Sequence, residues 1–310
     1  MKLIFTYLIL SLLSITTIAQ IPKVTSGSIK RFENFTSKYV AARNIDVWLP
    51  DGYSPEKKFA VLYMHDGQML FDSTNTWNKQ AWEVDDVAGE LIAENKTEAF
   101  IVVGVWNNGA YRHSEYFPEN IIKQIPDSTR KFVVEQQLKN KPQSNSYLKF
   151  LVKELKPFMD KTFATHKDKE HTFIAGSSMG GLISLYAICQ YPKVFGGAAC
   201  LSTHTPMILK ENIAFNIDAD IVSKFRTYLT THLPSPKTHK IYFDYGDKTL
   251  DSFYKPYQDK IDTIMMTKGF IANNWVTRFF AGEDHSEKAW RKRLDIPLMF
   301  LLKNKSYEQK

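Results

Sequence analysis

The chain has 310 residues, of which 44% are hydrophobic and 24% charged, a balance typical of a globular protein with a large core. The formal net charge is +7, but the lysines and arginines are spread along the chain among acidic residues. Because nucleic-acid binding requires clustered basic residues, this pattern argues against a nucleic-acid partner. No Pro/Gly/Ser-rich linker divides the chain, which predicts a single domain over residues 20–310.

The amino terminus carries the pattern of a secretory signal. A lysine precedes an apolar run at residues 3–13, and small residues near Ala19 suit cleavage. The run is shorter than the roughly 18 residues that a membrane span requires, and no later stretch approaches that length. We therefore expect a signal peptide at 1–19, a secreted or periplasmic protein, and no stable membrane span after cleavage. An uncleaved anchor is the alternative.

Short apolar runs alternate with longer helix-like stretches along the rest of the chain. Several runs are apolar throughout, which is typical of strands covered on both faces. This order favours an α/β fold with a mostly parallel, doubly wound sheet and helices on both faces. The predicted strands are 45–49, 59–64, 99–105, 172–175, 197–201, 240–244 and 275–280, and the predicted helices are 84–94, 147–163, 180–190 and 257–268.

Two segments interrupt the alternation, at residues 121–146 and 204–239. Both contain at least two prolines and few apolar runs. Both are also longer than ordinary connections between elements. We expect them to form loop insertions that act as lids beside the functional site.

The strongest functional motif is Gly176-Ser177-Ser178-Met179-Gly180, a G-x-S-x-G sequence between a predicted strand and a predicted helix. In such an elbow the serine occupies a sharp turn, and strand and helix approach so closely that glycine is needed on either side. The helix amino terminus directs free N–H groups at negative charge that forms on a substrate oxygen. The motif predicts Ser178 as a nucleophile and the Met179 backbone N–H as an oxyanion donor.

His285 is the predicted general base. In this arrangement the acid and then the histidine follow the nucleophile along the chain, and the histidine follows the last strand. Of eight histidines, His285 is the one on a loop directly after the predicted strand 275–280. An imidazole there accepts the proton of Ser178 and passes it to the leaving group.

The acid that orients this imidazole must lie between the nucleophile and His285, after a strand. Three aspartates are available, at Asp244, Asp247 and Asp251. Asp244 falls within a predicted strand, so its side chain is less free to reach the edge of the sheet. Asp247 and Asp251 both lie on the following loop, and their spacing does not separate them.

Four motifs stand out along the chain. They are Tyr63-Met-His-Asp66-Gly67-Gln68, Arg112-His-Ser-Glu115-Tyr116, the glycine-flanked elbow, and Phe280-Ala-Gly-Glu-Asp-His285. Together they resemble the esterase branch of the α/β-hydrolases, which includes enterochelin (siderophore) esterases, feruloyl and acetyl-xylan esterases, and S-formylglutathione hydrolases. The resemblance covers about residues 39–294. It implies the α/β-hydrolase fold and ester hydrolysis, with no metal and no organic cofactor.

The resemblance also assigns further residues. It maps the acid to Asp251, at the end of a loop similar to G-T-x-x-x-D. Asp247 replaces the threonine that often follows the glycine in this loop, and it is the alternative acid. It makes the backbone N–H of Gln68 the second oxyanion donor. An ion pair between Arg112 and Glu115 that holds a loop is the structural alternative for those two residues. The substrate pocket that the resemblance implies includes Asp66, Arg112, Glu115, Tyr116 and His204.

These observations predict a secreted serine esterase that forms an acyl-enzyme. The expected partner is a small-molecule or polysaccharide-linked ester, either a siderophore ester or a carbohydrate-linked acyl ester. An acyltransferase and a catalytically inactive binding protein are the alternatives on the same fold. The chain lacks H-E-x-x-H, which disfavours zinc hydrolysis. It also lacks the S-D-N and K-T-G partners of a penicillin-binding-type hydrolase.

Overall fold

Eight strands form one mixed sheet in the computed structural model, which describes residues 20–208 and 220–304. The predicted signal peptide at 1–19 lies outside the described residues. In chain order the strands are β1 (Ser28–Phe35), β2 (Arg43–Leu49), β3 (Ala60–His65), β4 (Phe100–Val105), β5 (Thr172–Ser177), β6 (Gly197–Leu201), β7 (Lys240–Tyr245) and β8 (Trp275–Phe279). Their spatial order is β1-β2-β4-β3-β5-β6-β7-β8. The pairs β1–β2 and β2–β4 are antiparallel, and all other neighbours are parallel.

Helices flank this sheet in the described part of the chain. They are α1 (Val84–Ala93), α2 (Arg112–Tyr116), α3 (Asp127–Phe132), α4 (Ser144–Phe150), α5 (Lys156–Thr162), α6 (Met179–Gln190), α7 (Asp220–His232), α8 (Lys255–Thr267), α9 (Glu287–Arg291) and α10 (Asp295–Leu302). A π-helical turn at Val133–Gln137 extends α3, and another at Leu151–Leu155 joins α4 to α5. None of the described helices combines the length and the apolar character needed to cross a bilayer.

Apolar side chains are buried on both faces of the sheet. In β3, Val61 and Tyr63 belong to one core cluster, whereas Leu62 and Met64 belong to the other. Side chains from α4, α6, α7 and α8 complete the first cluster, and side chains from α1 and α10 complete the second. Because helices cover both faces, the central strands are apolar throughout. The predicted α/β fold with a mostly parallel sheet is confirmed.

The sequence predicted seven of the eight strands and missed β1. The strand β1 reads Ser-Ile-Lys-Arg-Phe-Glu-Asn-Phe, and most of its side chains are exposed or half-buried. It lies at the edge of the sheet, where a strand needs no continuous apolar run. Antiparallel pairing with β2 and an ion pair of 2.6 Å between Arg31 Nε and Asp46 Oδ1 hold it in place.

The segments 121–146 and 204–239, expected as loop insertions, contain regular structure. The first includes α3 and the start of α4, and its Ile121 is fully buried in the core. The second includes α7, and its residues 209–219 lie outside the described part of the chain. The short helix α3 has too few residues to show a 3.6-residue period. Helix α7 has 13 residues and does show it, with Ile221, Phe225 and Tyr228 buried on one face, so the prediction of a loop there was wrong although the pattern was present. Pro126 directly precedes α3, a position where proline is compatible with a helix start.

Candidate active site

The turn between β5 and α6 places Ser178 at the carboxyl edge of the sheet. Its backbone has φ 56° and ψ −122°, a conformation that costs a non-glycine residue about 1–3 kcal/mol. Strand and helix approach closely here, since a Cβ atom on Gly176 would lie 2.8 Å from the carbonyl carbon of Gly180. The Ser178 N–H donates to the Leu201 carbonyl oxygen over 3.0 Å, which ties the turn to β6. The local packing therefore maintains the strained turn that the motif predicted.

Five of the predicted site residues follow parallel strands at this same edge. Because the carboxyl ends of parallel strands meet at one edge of a sheet, residues far apart in sequence converge there. These residues are Asp66 after β3, Ser178 after β5, His204 after β6, Asp251 after β7 and His285 after β8.

His285 and Asp251 form a close pair. The distance from His285 Nδ1 to Asp251 Oδ1 is 2.6 Å, and the Asp251 side chain is fully buried. The other oxygen, Oδ2, accepts from Ser202 Oγ over 2.6 Å and from the Gly246 N–H over 2.7 Å. Burial acts to raise the pKa of Asp251, but these hydrogen bonds and His285 hold it below its usual value. An ionised Asp251 keeps the proton of His285 on Nδ1 and leaves Nε2 as an acceptor.

The other two candidate aspartates have different partners. Asp247 Oδ1 accepts from the Gly282 N–H over 2.9 Å and lies 3.2 Å from Lys248 Nζ. The hydrogen bond from the Gly282 N–H lowers the pKa of Asp247. The same bond joins the loop after β7 to the loop that carries His285. Asp244 is buried in β7 and pairs with Arg293 over 2.9 Å. Of the three, only Asp251 contacts His285.

A buried network that the sequence did not predict lies behind Asp251. The hydroxyl of Ser202 donates to Asp251 and accepts from Trp290 Nε1 over 2.9 Å and from Arg293 over 3.0 Å. The Trp290 ring also packs edge-on against His285, with ring centroids 5.0 Å apart. Arg293 has a side chain only 2% exposed and bridges Ser202 to Asp244. Only the position of Ser202 directly after a predicted strand offered a sequence signal.

A second group of buried side chains contacts the nucleophile. The phenol of Tyr254 lies 2.8 Å from His204 Nδ1, and the neighbouring Ser178 side chain acts to lower the pKa of that phenol. The His204 N–H donates to the Ser178 carbonyl oxygen over 3.1 Å. Burial, together with the charge of His285, lowers the pKa of His204 to about 3. Burial also raises the pKa of Tyr254 well above its usual value. Both groups are therefore neutral at ordinary pH, and His204 lies behind Ser178 without being exposed.

The predicted oxyanion turn after β3 is held by an ion pair. Asp66 has φ 58° and precedes the 3-10 turn Gly67–Met69. Its carboxylate accepts two hydrogen bonds of 2.7 Å from Arg112 and one of 2.7 Å from Asn107 Nδ2. Burial acts to raise the pKa of Asp66, but Arg112 holds it below the usual value. The side chain of Gln68 accepts from the Asn107 N–H over 3.2 Å, so it fastens the turn to the loop after β4.

The geometry of this turn leaves room only for glycine at position 67, because a Cβ there would lie 2.5 Å from the Gly104 carbonyl carbon. The turn therefore packs directly on β4. The first N–H groups of a helical turn have no acceptor within that turn. Gln68 and Met179 each lie in the first turn of such an element, as the two predicted oxyanion donors require.

Like His204, two further residues assigned to the pocket lie beneath the surface. Glu115 is fully buried and accepts hydrogen bonds of 2.6 and 2.8 Å from Arg43. The Arg112–Glu115 ion pair, the alternative for those two residues, does not form, because Arg112 pairs with Asp66. Tyr116 is also fully buried, and its ring lies under the Arg112 guanidinium at 5.1 Å. Helix α2 thus supports the oxyanion turn from below, because the Tyr116 hydroxyl accepts from the Asp66 N–H over 3.3 Å and Glu115 ties the helix to Arg43 of β2.

One group in the described chain has donors spaced for a metal ion. Ligand atoms of His166, Asp168 and His171 lie within 4.8 Å of one another. They precede β5, at the sheet edge opposite Ser178. Asp168 Oδ1 and His171 Nδ1 are 2.6 Å apart, which is a hydrogen-bond distance. These side chains belong to a surface turn outside the candidate active site.

A family model described as "Putative esterase" matches residues 38–300. The chain belongs to this esterase family. An "Endo-1,4-beta-xylanase/feruloyl esterase" of Xylanibacter ruminicola is 28% identical over 204 residues, which are 61% of this chain and 23% of that protein. The Bacillus subtilis protein YjcH is 24% identical over 55% of this chain and 60% of its own length. The chain thus spans less than two thirds of either relative.

Solved structures of esterases share the fold. A ferulic acid esterase superposes with a TM-score of 0.63 at 18% identity, covering 90% of this chain and 99% of that one. The enterobactin esterase FES of Shigella flexneri gives a TM-score of 0.63 at 16% identity, over 90% and 60% of the two chains. An IroE-like serine hydrolase of Shewanella oneidensis gives 0.62 at 14%, over 88% and 79%. At these identities the likeness concerns the fold of the esterase family.

Proposed function

We propose that the protein hydrolyses carboxylic esters through an acyl-enzyme formed on Ser178. The observation that carries this proposal is the 2.6 Å pair of His285 and buried Asp251, at the same sheet edge as the strained turn of Ser178. A nucleophilic serine, a histidine base and an orienting carboxylate form a recurring arrangement for acyl transfer. Membership of the esterase family supports the same reaction.

In the proposed first half-reaction, Ser178 Oγ attacks the ester carbonyl carbon while His285 Nε2 takes the hydroxyl proton. The negative oxygen of the tetrahedral intermediate accepts hydrogen bonds from the Met179 and Gln68 N–H groups. The carbon–oxygen bond to the alcohol then breaks, and His285 gives its proton to the departing alkoxide. Asp251 stabilises the imidazolium in between.

In the second half-reaction, water replaces the alcohol. His285 takes a proton from water as the water oxygen attacks the acyl carbon, and the same proton returns to Ser178 Oγ when the acid leaves. An acyltransferase would use another alcohol in place of water. Product analysis separates the two, because hydrolysis yields one free acid for each ester consumed.

For the substrate we propose an aromatic acyl group esterified to a carbohydrate. Support comes from the similarity of the chain to an endo-1,4-beta-xylanase/feruloyl esterase and from the fold that it shares with a ferulic acid esterase. An exported protein would meet such polymers outside the cell, and the signal-like pattern at 1–19 agrees with that location. Siderophore esters are the second class, and the enterobactin esterase structure carries that alternative.

The test is hydrolysis of p-nitrophenyl acetate and methyl ferulate by the chain from Gln20, beside Ser178→Ala and the matched control Ser177→Ala. Ser177 is the neighbouring serine in the same turn, at the end of β5. We expect Ser178→Ala to lose at least about 10⁴-fold in kcat and Ser177→Ala to retain activity. Equal activity of Ser178→Ala and wild type would contradict the proposal. No hydrolysis and no labelling of Ser178 by a fluorophosphonate would favour an inactive binding protein.

A further inference from the structure

Trp77 is the most exposed large hydrophobic side chain among the described residues, with 85% of its surface accessible. Isolated apolar side chains are ordinary on protein surfaces. Trp77 differs because of where its loop lies. The loop at 72–82 packs against the elements that follow His285, with Asn78 Nδ2 donating to Glu287 Oε2 over 2.9 Å. Trp77 is therefore attached to the wall of the candidate active site.

The loop is fixed by its own hydrogen bonds, so the exposure of Trp77 does not arise from a loose chain. Asp72 Oδ1 accepts from the Thr74 N–H over 2.9 Å and caps the short turn Ser73–Asn75. Lys79 Nζ donates to the Thr74 carbonyl oxygen over 2.8 Å. At the end of the loop, the Trp82 ring packs on Trp290 at 5.3 Å. A flat aromatic surface held outward in this way is pre-organised for stacking.

The Trp77 loop also approaches the oxyanion side of the site. At the end of the loop, the Trp82 backbone N–H donates to the Met69 carbonyl oxygen over 3.0 Å, and Met69 is the last residue of the oxyanion turn Gly67–Met69. The Trp77 loop therefore borders the space between His285 and the oxyanion turn, where the alcohol part of an ester would leave.

Polar groups beside Trp77 suit a sugar ring. Asn78 directly follows Trp77 in the loop and hydrogen-bonds to Glu287 over 2.9 Å. A sugar ring has an apolar C–H face that stacks on an indole, and it has hydroxyls that bond to side chains such as Asn78 and Glu287. An exposed indole next to these polar side chains therefore matches both parts of a sugar ring.

We propose that Trp77 forms a subsite for a sugar ring in the alcohol part of the ester. The inference rests on the proposed esterase function and goes beyond it by assigning a residue to carbohydrate recognition. Stacking on Trp77 stabilises the bound sugar-linked ester, so it contributes to kcat/KM only for substrates that carry the sugar.

The experiment compares Trp77→Ala, Trp77→Phe and wild type on methyl ferulate and on a feruloylated arabino-oligosaccharide. Ile271→Ala is the matched control, because Ile271 is 60% exposed and lines a cavity at the opposite sheet edge. We expect Trp77→Ala to lower the ratio of kcat/KM for the oligosaccharide to that for methyl ferulate about tenfold. Trp77→Phe should keep most of the ratio, and Ile271→Ala should leave it unchanged. An unchanged ratio in Trp77→Ala overturns the subsite.

A binding measurement separates this inference from the esterase proposal. Titration calorimetry of unesterified arabino-xylo-oligosaccharide into the Ser178→Ala protein needs no turnover. We expect binding that Trp77→Ala weakens about tenfold, even if no ester is hydrolysed. Oligosaccharide binding that Trp77→Ala leaves unaffected, or a preference of the Trp77 site for ferric enterobactin, would overturn the sugar subsite while leaving the esterase proposal standing.

Discussion

Two groups of polar side chains support the residues around Ser178, one behind the acid and one behind the oxyanion turn, and they differ in how deeply they are buried. On the acid side, Asp251 and Arg293 have side chains 0% and 2% exposed, and each hydrogen-bonds to Ser202. On the oxyanion side, Asp66 and Arg112 are 13% and 23% exposed. A buried polar network gains and loses more free energy per contact than a half-exposed pair, because water cannot replace a lost partner. Changes on the acid side should therefore affect both folding and rate, whereas changes on the oxyanion side should affect mainly rate.

Among the residues that support Ser178, the largest effect on the rate of catalysis is expected from the acid itself. Asp251→Asn removes the charge that holds the His285 tautomer, so we expect kcat to fall about 10³- to 10⁴-fold. Asp247→Asn is the matched control on the same loop, and we expect a loss below about threefold. Steady-state kinetics on p-nitrophenyl acetate measures both. A larger loss of kcat in Asp247→Asn than in Asp251→Asn would assign the acid to Asp247 and contradict the role given to the buried network around Asp251.

The second change tests how deeply the acid side is buried. Arg293→Met leaves the buried carboxylate of Asp244 without its partner, so we expect a loss of about 3–5 kcal/mol in the free energy of unfolding. Adding Asp244→Asn removes the uncompensated charge and should restore part of that loss. Urea denaturation of the single and double variants measures this. Full stability of Arg293→Met would contradict a structural role for the network.

The third change addresses the oxyanion side. Arg112→Gln frees Asp66 and loosens the turn that positions the Gln68 N–H, so we expect kcat to fall about 10- to 100-fold with little change in KM. Because the pair is partly exposed, the free energy of unfolding should fall by no more than about 1 kcal/mol. A rise in KM at constant kcat would instead assign Arg112 to substrate binding.

The last effect, on the pH dependence of stability, concerns two buried histidines, one on each side. Burial lowers the pKa of His65, beside the oxyanion turn, to about 3, and that of His204 to about 3. The folded protein therefore keeps both neutral, while the unfolded chain protonates them below its pKa of about 6.5. Each histidine thus lowers stability as pH falls from about 6.5 toward 3.

His65→Gln removes one such proton uptake. We expect the slope of unfolding free energy against pH, between pH 6 and 4, to decrease by about 1.4 kcal/mol per pH unit. Urea titrations at three pH values measure that slope. His166→Gln is the control, because His166 is only partly buried and its pKa is lowered less than that of His65. An unchanged slope in His65→Gln would mean that His65 is protonated in the folded protein.

The parts of this molecule that the sequence predicted depend on local patterns. Continuous apolar runs located the central strands, and the glycines on either side of Ser178 predicted a close strand–helix turn that the structure contains. The edge strand β1 and the short helix α3 lack such patterns, whereas the 13-residue helix α7 has an amphipathic pattern that the prolines on either side of it obscured. The roles of Ser178, His285 and Asp251 in catalysis stay predictions, although the structure brings His285 and Asp251 into contact.

The supporting residues were harder to predict because their partners are distant in sequence. Arg293 reads as one of three basic residues in a polar stretch, and only folding brings it to Asp244 and Ser202. The closeness of Glu115 and Arg112 in sequence made an ion pair between them an alternative, whereas in the fold Glu115 pairs with Arg43 of β2. Buried pairs of this kind are determined by the sheet order, which no local pattern in the sequence contains.

The most direct test of the central claim is to locate the acyl group. Wild-type protein, Asp251→Asn and Ser178→Ala would each be mixed with p-nitrophenyl acetate or a fluorophosphonate, quenched with acid, and examined by peptide mass spectrometry. The account predicts a covalent adduct on Ser178 in the wild type, slower labelling in Asp251→Asn, and none in Ser178→Ala. An adduct on another residue, or rapid hydrolysis with no adduct on Ser178, would contradict it.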